Sequence, residues 1–153
     1  MRRKDKEKDA AFAAGVFRDG EYMTLATVNA DGTPYCVPLS FVLADDKIYF
    51  HCAEEGQKVE NIVLNNRVCV SCVRYAKTRP ESFSVAYESA VAAGTCETVT
   101  DGNEKLTALR ALCEKYAEDY MDNFEADAAK SLHLTRVMKI NIDAITGKAD
   151  MKK

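Results

Sequence analysis

The chain has 153 residues, of which 47% are apolar and 29% are charged, and its net charge at pH 7 is -3. This balance predicts a water-soluble protein with one domain over residues 1–153 and a single core. The charge offers no basic field for nucleic acid, and no apolar run approaches the roughly 20 residues that span a bilayer. The basic start (Met1 to Lys8) has no apolar stretch after it, so it is no signal peptide, and we expect a cytoplasmic location.

The first half of the chain predicts a helix and a meander of three strands. Asp31-Gly32 and Asp45-Asp46 mark the two turns. Pro38 lies in the middle of the second strand, where it removes a donor. The strand there should therefore be at an edge, at a bulge, or beside a ligand. The predicted elements are a helix over residues 5–17 and strands over residues 21–28, 35–43 and 47–51.

The second half predicts three helices and three more strands. The apolar run 83–99 alternates poorly, so it is expected to be buried on both faces, with a bend or bulge at Gly94. Six antiparallel strands with peripheral helices indicate a mainly β fold, a closed or partly closed barrel. The predicted elements are helices over residues 57–64, 104–116 and 124–132, strands over 68–73, 83–99 and 134–142, an irregular segment at 75–82 and a final turn at 145–148.

Six cysteines favour reduced thiols over a disulfide framework, because no secretion signal precedes them. Cys69 and Cys72 have the spacing of a redox or zinc pair. They lie on a predicted strand, however, where positions three apart point to opposite faces. One metal ion could not easily use both thiols, and we predict no metal site.

The segment from Tyr49 to Ile62 combines a strand, a loop and a helix. The strand ends at His51, the loop contains Gly56, and the helix opens near Gln57 and Lys58. Backbone N–H groups at a helix start favour an anion, and Lys58 would add a positive charge. This pattern is compatible with a phosphate site, although strand-loop-helix units with one lysine are common.

The ordered motifs of the chain resemble a known family. They are Met1-Arg-Arg-Lys-Asp5, Pro34-Tyr-Cys-Val-Pro-Leu-Ser-Phe41, Tyr49-Phe-His-Cys-Ala-Glu-Glu-Gly-Gln-Lys58, Tyr87-Glu-Ser-Ala-Val-Ala-Ala-Gly94 and Ile145-Thr-Gly-Lys148. Together they resemble the FMN-binding split-barrel superfamily of pyridoxamine 5′-phosphate oxidase, and within it the nitroimidazole-resistance (Nim) branch. The resemblance implies a six-stranded antiparallel split β-barrel that forms a homodimer, with FMN at the subunit interface.

The resemblance also implies roles for residues. Gln57 and Lys58 would hold the flavin phosphate, although pyridoxamine phosphate oxidases carry Arg where this chain has Gln57. His51 would stand near the ring or ribityl chain as a catalytic proton donor or substrate contact. The other residues that the resemblance places at the cofactor are Val37, Pro38, Leu39, Ser40, Phe41, Cys52, Tyr87 and Ser89.

Three functions stay open from the sequence. The first is an FMN-dependent oxidoreductase that reduces a small molecule such as a nitroaromatic. The second is a flavin or haem carrier without turnover, in which His51 could be an axial ligand. The third is a structural barrel with an empty cleft. Pyridoxamine phosphate oxidation itself is disfavoured, because the family's C-terminal Trp and Arg substrate motif has no counterpart near Lys139, and the chain has no Trp.

Overall fold

A computed structural model describes residues 2–151 as one antiparallel sheet with helices around it. The mainly β character predicted from the sequence is confirmed, with eight strands in place of the expected six. The strands are β1 (Glu7–Lys8), β2 (Tyr22–Val28), β3 (Pro34–Ser40), β4 (Val42–Ala44), β5 (Lys47–Cys52), β6 (Arg67–Arg79), β7 (Ser84–Thr98) and β8 (Arg136–Asp150), and the α-helices are α1 (Ala10–Asp19), α2 (Gln57–Leu64), α3 (Gly102–Tyr116) and α4 (Phe124–Ser131).

The order of the strands shows that the sheet is strongly curled. Neighbouring strands run β3-β2-β6-β7-β8-β5-β4, and β1 pairs with β8. In a flat sheet β3 and β4 would lie six strand spacings apart, roughly 29 Å. Only Phe41 separates these two strands in the chain, so the ends that it joins are within about 8 Å of each other. The sheet must therefore bend so that the joined ends of its first and last strands lie close together.

The predicted strand 35–43 is divided at Phe41, which is a correction to the sequence analysis. The first part pairs with β2 and the second with β5. At the switch, the Phe41 backbone N–H donates to the Tyr116 hydroxyl at 3.0 Å. That hydroxyl lies 2.9 Å from the Phe41 carbonyl and 2.6 Å from the Glu21 carbonyl. A side chain from α3 thus satisfies the backbone that neither sheet neighbour reaches.

Two further sequence predictions are wrong. Residues 75–79, expected to be irregular, continue β6 as far as Arg79, and residues 145–148, expected to be a turn, lie inside β8. Both segments are exposed or polar enough to look like loops. They are strands because they pair with β7 along its length, and this pairing satisfies their backbone groups.

Strand β7 confirms the irregularity predicted at Gly94, since the register with β8 shifts between Ala93 and Gly94. A Cβ atom at Gly94 would lie 1.9 Å from the Asn141 carbonyl oxygen, so only glycine fits this close approach. The expectation that the segment is buried on both faces is wrong, because Val85 and Val91 are exposed on one face.

The interior of the curled sheet holds the main hydrophobic core. Helix α1 closes one side of it with Ala13, Val16 and Phe17, and the Phe17 ring meets the Phe41 ring edge-on at 5.9 Å. This helix begins at Ala10, five residues later than predicted, because Asp9 caps it by accepting from the Phe12 N–H at 2.8 Å.

Helices α3 and α4 cover another part of the sheet. A second apolar cluster joins Tyr49 and Val137 of the sheet to Ala108 of α3. The predicted helices at 57–64, 104–116 and 124–132 all form, within two residues of their expected ends. Within residues 2–151, none of the helices is long and apolar enough to cross a membrane.

Candidate functional site

The start of α2 offers unpaired backbone donors. Gly56 precedes the helix with φ +132°, a conformation suited to glycine, and no side chain caps the helix. The Gly56 carbonyl accepts the first helical bonds, from Val59 N at 2.8 Å and Glu60 N at 3.1 Å. The N–H groups of Gln57 and Lys58 thus have no side-chain cap at the positive end of the helix dipole.

A buried amide fixes this helix start against the sheet. Asn61 is fully buried, and its Nδ2 donates to Thr27 Oγ1 at 3.0 Å and to Asn29 Oδ1 at 2.8 Å. Its Oδ1 accepts from Gln57 Nε2 at 3.0 Å. Gln57, predicted to hold phosphate, is thereby tied to the end of β2. These bonds fix the first turn of α2 against the end of β2.

Two cationic side chains, Lys58 and Arg136, lie near this helix start. Lys58 is half-buried, and no ion pair or hydrogen bond to its ammonium is found among residues 2–151. Burial raises the pKa of the Cys52 thiol, and the charges of Lys58 and Arg136 act in the opposite direction. Arg136 pairs with Glu54 at 2.8 Å, so Lys58 is the cation of this group that is free to bind an anion.

Another part of the predicted site is a bare face of the sheet. One row across this face consists of Pro38, Thr24, Ser71, Val91 and Thr146. The next row consists of Cys36, Ala26, Cys69, Ala93 and Ala144. None of these ten residues is charged, and most are small. Such a face can approach another flat surface closely, without burying a charge.

The side chains of β3 that were predicted to contact the cofactor alternate between the two faces of the sheet. Val37 and Leu39 pack against the core, while Pro38 is exposed on the bare face and Ser40 pairs with Tyr22. Among residues 2–151 strand β3 pairs with β2 alone, so of the three alternatives that Pro38 left open, an edge strand is the one observed. Phe41, the last of the predicted run, has a fully buried ring and a backbone that is already bonded to Tyr116.

Tyr87 and Ser89 lie on β7, at the side of the bare face where β8 pairs. Ser89 pairs with Lys148, whose ammonium lies 5.4 Å from the centre of the Tyr87 ring. Both residues are half-buried. The strands β2 and β6 separate them from β3, so about 14 Å of sheet lies between them and the Pro38 edge.

His51 is exposed near the end of β5 and lines a pocket of about 300 Å³. The rest of the pocket is lined by residues of α3 and α4, by the segment between these helices and by Thr135, and it includes Leu109, Met121 and Phe124. Cys52, the next residue, packs against the core on the opposite side of the strand. His51 and the Lys58 charge therefore approach the end of β5 from different sides.

The structure brings the predicted residues into three groups within one chain. The bare face carries Pro38 and Ser89, the α2 start carries Gln57 and Lys58, and the helix-covered side carries His51. Sequence reasoning missed Tyr116, Asn61 and Arg136. A local signal existed only for Asn61, a polar residue between the apolar Val59 and Ile62 of an amphipathic helix. Tyr116 accepts a hydrogen bond from Phe41, which is 75 residues away, and Arg136 donates to Glu54, which is 82 residues away.

The thiols are arranged as the strand argument predicted for Cys69 and Cys72, one exposed and the other buried. Burial raises the pKa of the Cys96 thiol to about 12, so this group is a neutral part of the core at physiological pH. Cys36 and Cys69 are exposed on the bare face, with Ala26 of β2 between them.

A curled antiparallel sheet with peripheral helices, an uncapped helix start and a bare uncharged face defines a mainly β class of fold. The family model described as pyridoxamine 5′-phosphate oxidase matches residues 10–149, and the chain belongs to this family. This confirms the resemblance stated from the sequence. No curated protein matches the chain significantly.

Similar solved structures agree with this assignment. A candidate 5-nitroimidazole antibiotic resistance protein from Bacteroides thetaiotaomicron is 27% identical, with a TM-score of 0.77 over 92% of this chain and 84% of that one. An FAD and haem binding protein from Mycobacterium smegmatis is 20% identical, with a TM-score of 0.82 over 96% and 74%. An FAD-binding protein from Mesorhizobium loti is 20% identical, with a TM-score of 0.66 over 95% and 97%. The last two show likeness of fold alone.

Proposed function

We propose that the protein is a cytoplasmic FMN-dependent oxidoreductase, a homodimer that reduces a small molecule such as a nitroaromatic. The observation that carries the proposal is the uncapped start of α2, where Lys58 has no partner among the described residues. The family match over residues 10–149 and the likeness to a candidate nitroimidazole-resistance protein support the proposal that the anion bound at this helix start is the phosphate of a flavin.

The α2 start fits a phosphate monoester. The N–H groups of Gln57 and Lys58 point to the N-terminal side of the helix, and the Lys58 ammonium supplies a charge-assisted donor. Asn61 holds the Gln57 side chain in the first turn of α2, so little ordering of that side chain is needed on binding. FMN carries one such phosphate, and the match between donor set and ligand is the reason to prefer it.

The bare face fits the rest of the cofactor in a homodimer. Pro38, Ser40, Tyr87 and Ser89 lie on this face or along it, and exposed valines such as Val91 leave it apolar. A monomer would leave this surface in water, which is unfavourable for a contiguous apolar patch. A second copy would cover the face, and we propose that a flavin ring lies between the two copies.

When bound, FMN supplies the electron transfer, and the protein orients it and the substrate. The free edge of β3 would present backbone groups other than a Pro38 donor to the ring edge, because β2 occupies the other edge of this strand. His51 would donate a proton to the substrate from the end of β5, where its ring is exposed.

A carrier without turnover is the alternative, with flavin or haem as the cargo. The similar structures include proteins described as binding FAD and haem, and His51 is an exposed imidazole that could serve as an axial ligand. The absorption spectrum of the purified protein distinguishes these cases. Flavin bands support the proposed enzyme, a Soret band supports a haem carrier, and a protein without a chromophore after cofactor titration supports neither.

The decisive experiment compares FMN with riboflavin, which lacks the phosphate. We expect Lys58→Ala to weaken FMN binding about tenfold to a hundredfold, the value of a charge-assisted contact, and to leave riboflavin affinity unchanged. Lys77→Ala, on the exposed part of β6, is the matched control and should bind both ligands as the native protein does. Equal loss for FMN and riboflavin, or no loss for FMN, would remove Lys58 from the phosphate site.

A further inference from the structure

The cleft between the start of α3 and the end of α4 is separate from the proposed cofactor site. Its volume is about 610 Å³, within the range of about 300–1,000 Å³ for small-molecule sites. Of the residues that the structure describes, those lining this cleft include none that was predicted to contact the cofactor. Ala128 of α4 contributes to this cleft and also to the pocket beside His51. The cleft therefore has room for a ligand whose binding does not depend on flavin.

The walls of the cleft are fixed by contacts that the two helices make themselves. The Arg110 guanidinium of α3 lies over the buried Phe124 ring of α4 at 4.5 Å and pairs with Glu125. At the start of α3, Asp101 caps the helix by accepting from the Glu104 N–H at 2.7 Å. Because these contacts are made within the chain, the cleft is formed before a ligand enters.

The more buried residues of the lining are apolar. Ala128 is buried, and Leu106 of α3 and Leu132, directly after α4, are half-buried. Ala129 lines the cleft from an exposed position. Within residues 2–151, the lining has no Phe, Tyr or Trp ring on which an aromatic ligand could stack. A flexible aliphatic chain can cover these leucine and alanine side chains and remove their apolar surface from water.

The same lining carries a cation without a partner. In the described part of the chain, no ion pair or hydrogen bond to the Lys105 ammonium is found, and the same is true of the His133 imidazole. The lining also includes Glu125, whose carboxylate is already paired with Arg110. An anion in the cleft would thus meet a full positive charge and an imidazole N–H donor. A carboxylate offers these two donors two oxygens and a single charge.

We propose that this cleft binds an amphipathic monoanion, a carboxylate on an unbranched hydrocarbon chain of medium length. The carboxylate would contact Lys105 and His133, and the chain would lie along Leu106 and Leu132. Inorganic phosphate would leave the apolar walls in water, and a neutral hydrocarbon would leave the Lys105 charge without a partner. The amphipathic carboxylate satisfies both parts of the lining. The inference goes beyond the proposed oxidoreductase function, since it involves no flavin and no electron transfer.

The test compares octanoate with 1-octanol, which has a chain of the same length and no charge, by isothermal titration calorimetry of the flavin-free native protein. We expect saturable binding of octanoate at one site per chain. Octanol should bind at least about tenfold more weakly, because it lacks the charge-assisted contact. Hexanoate should also bind about tenfold more weakly than octanoate, since fewer methylenes are removed from water.

The charge of Lys105 is tested by Lys105→Met, which keeps most of the length of the side chain. This variant should weaken octanoate about tenfold and leave octanol affinity unchanged. Lys130→Met, exposed on α4 and outside the lining, is the matched control and should bind octanoate as the native protein does.

The apolar part of the cleft is tested by Ala129→Trp, which fills the cleft from an exposed helix position and should therefore keep the fold. It should weaken octanoate and octanol alike, by at least about tenfold, because the indole takes the place of the ligand's chain. Ala126→Trp, exposed on the same helix and outside the lining, should bind both ligands as the native protein does.

Three results would overturn the proposal. They are octanoate binding that does not saturate, octanoate affinity that is unchanged in Lys105→Met, and native affinity in an Ala129→Trp protein whose circular dichroism spectrum shows that it is folded. FMN titration of every variant runs in parallel and should give the native affinity. A native protein that binds octanoate but no FMN would overturn the proposed function and support the cleft.

Discussion

The junction between β3 and β4 depends on one hydroxyl group, and its removal should be measurable. Tyr116 Oη accepts from the Phe41 N–H at 3.0 Å and has one proton to share between the carbonyls of Glu21 and Phe41. Phe41 itself is fully buried. Tyr116→Phe therefore leaves a backbone donor without an acceptor at a buried residue, and the ring remains to fill the same space.

The expected cost follows from these contacts. An unsatisfied buried donor costs about 1–3 kcal/mol, and the two carbonyls share a single lost bond, so we expect a loss of about 2 kcal/mol in the free energy of unfolding. For a chain of this size the melting temperature should fall by about 4–8 °C. With a urea m-value of about 2 kcal/mol/M, the unfolding midpoint should fall by about 1 M.

The assay is equilibrium unfolding in urea, followed by far-UV circular dichroism because the chain has no Trp and the mutation removes a Tyr. Protein concentration must be held constant, since dimerisation would add to the apparent stability. Tyr120→Phe is the matched control, because its side chain is 71% exposed, and it should change the free energy by less than about 0.5 kcal/mol. If the two variants unfold at the same urea concentration, the hydroxyl does not hold the junction.

Three other predictions concern acid stability, assembly and turnover. A hydrogen bond from Tyr49 and a neighbouring lysine lower the pKa of Glu104, so its contribution to stability is present above the unfolded pKa of about 4.3 and is lost as pH falls below it. Glu104→Gln should then show a flatter loss of stability between about pH 5 and pH 3 in acid titrations followed by circular dichroism. Thr24→Arg places a charge in the bare face and should give a monomer by light scattering, whereas Thr107→Arg on α3 should not. His51→Gln should keep native FMN affinity and slow reoxidation of the reduced flavin by a nitroaromatic by about 10² to 10⁴ in stopped-flow measurements.

The sequence predicted those features whose cause is local. Gly94 marked a bulge because no other residue tolerates so close a neighbouring strand, and the structure has the bulge there. Pro38 marked a strand position at an edge, at a bulge or beside a ligand because it lacks a donor, and its strand is at the edge of the sheet. Three of the helices were predicted within about two residues at both ends because their apolar residues recur every three or four positions, whereas α1 begins five residues later than predicted.

The features that failed have distant causes. The division of the second predicted strand at Phe41 depends on Tyr116, which is 75 residues away. The outer part of β6 contains exposed residues such as Lys77 and Thr78, and only its pairing with β7 makes it a strand. No local pattern records a partner strand, because the exposed positions of a two-stranded ribbon are as polar as those of a loop.

The predicted cofactor residues illustrate the same division. A lysine after a glycine predicted a helix start compatible with an anion site, and the structure has the helix start there, whereas the binding of an anion stays a prediction. The environment of His51 could not be predicted in this way, because much of its pocket is formed by α3 and α4, which begin more than 50 residues later in the chain. Arg136, which neutralises Glu54 beside Lys58, lies at the start of the last strand.

The residues of the proposed cofactor site lie far apart within one chain, and this separation is an argument for the proposed dimer. Lys58 lies at the start of α2, while Pro38 and Ser89 lie on the bare face or along it, and about 14 Å of sheet separates the latter two. A cofactor that contacts Lys58, Pro38 and Ser89 needs a second surface facing the sheet. A second copy of the chain would supply that surface. Thr24→Arg should therefore lose the dimer and, with it, affinity for both FMN and riboflavin. Lys58→Ala should lose affinity for FMN alone and remain a dimer. If Thr24→Arg is a monomer that binds both ligands as the native protein does, each chain holds its cofactor without a partner.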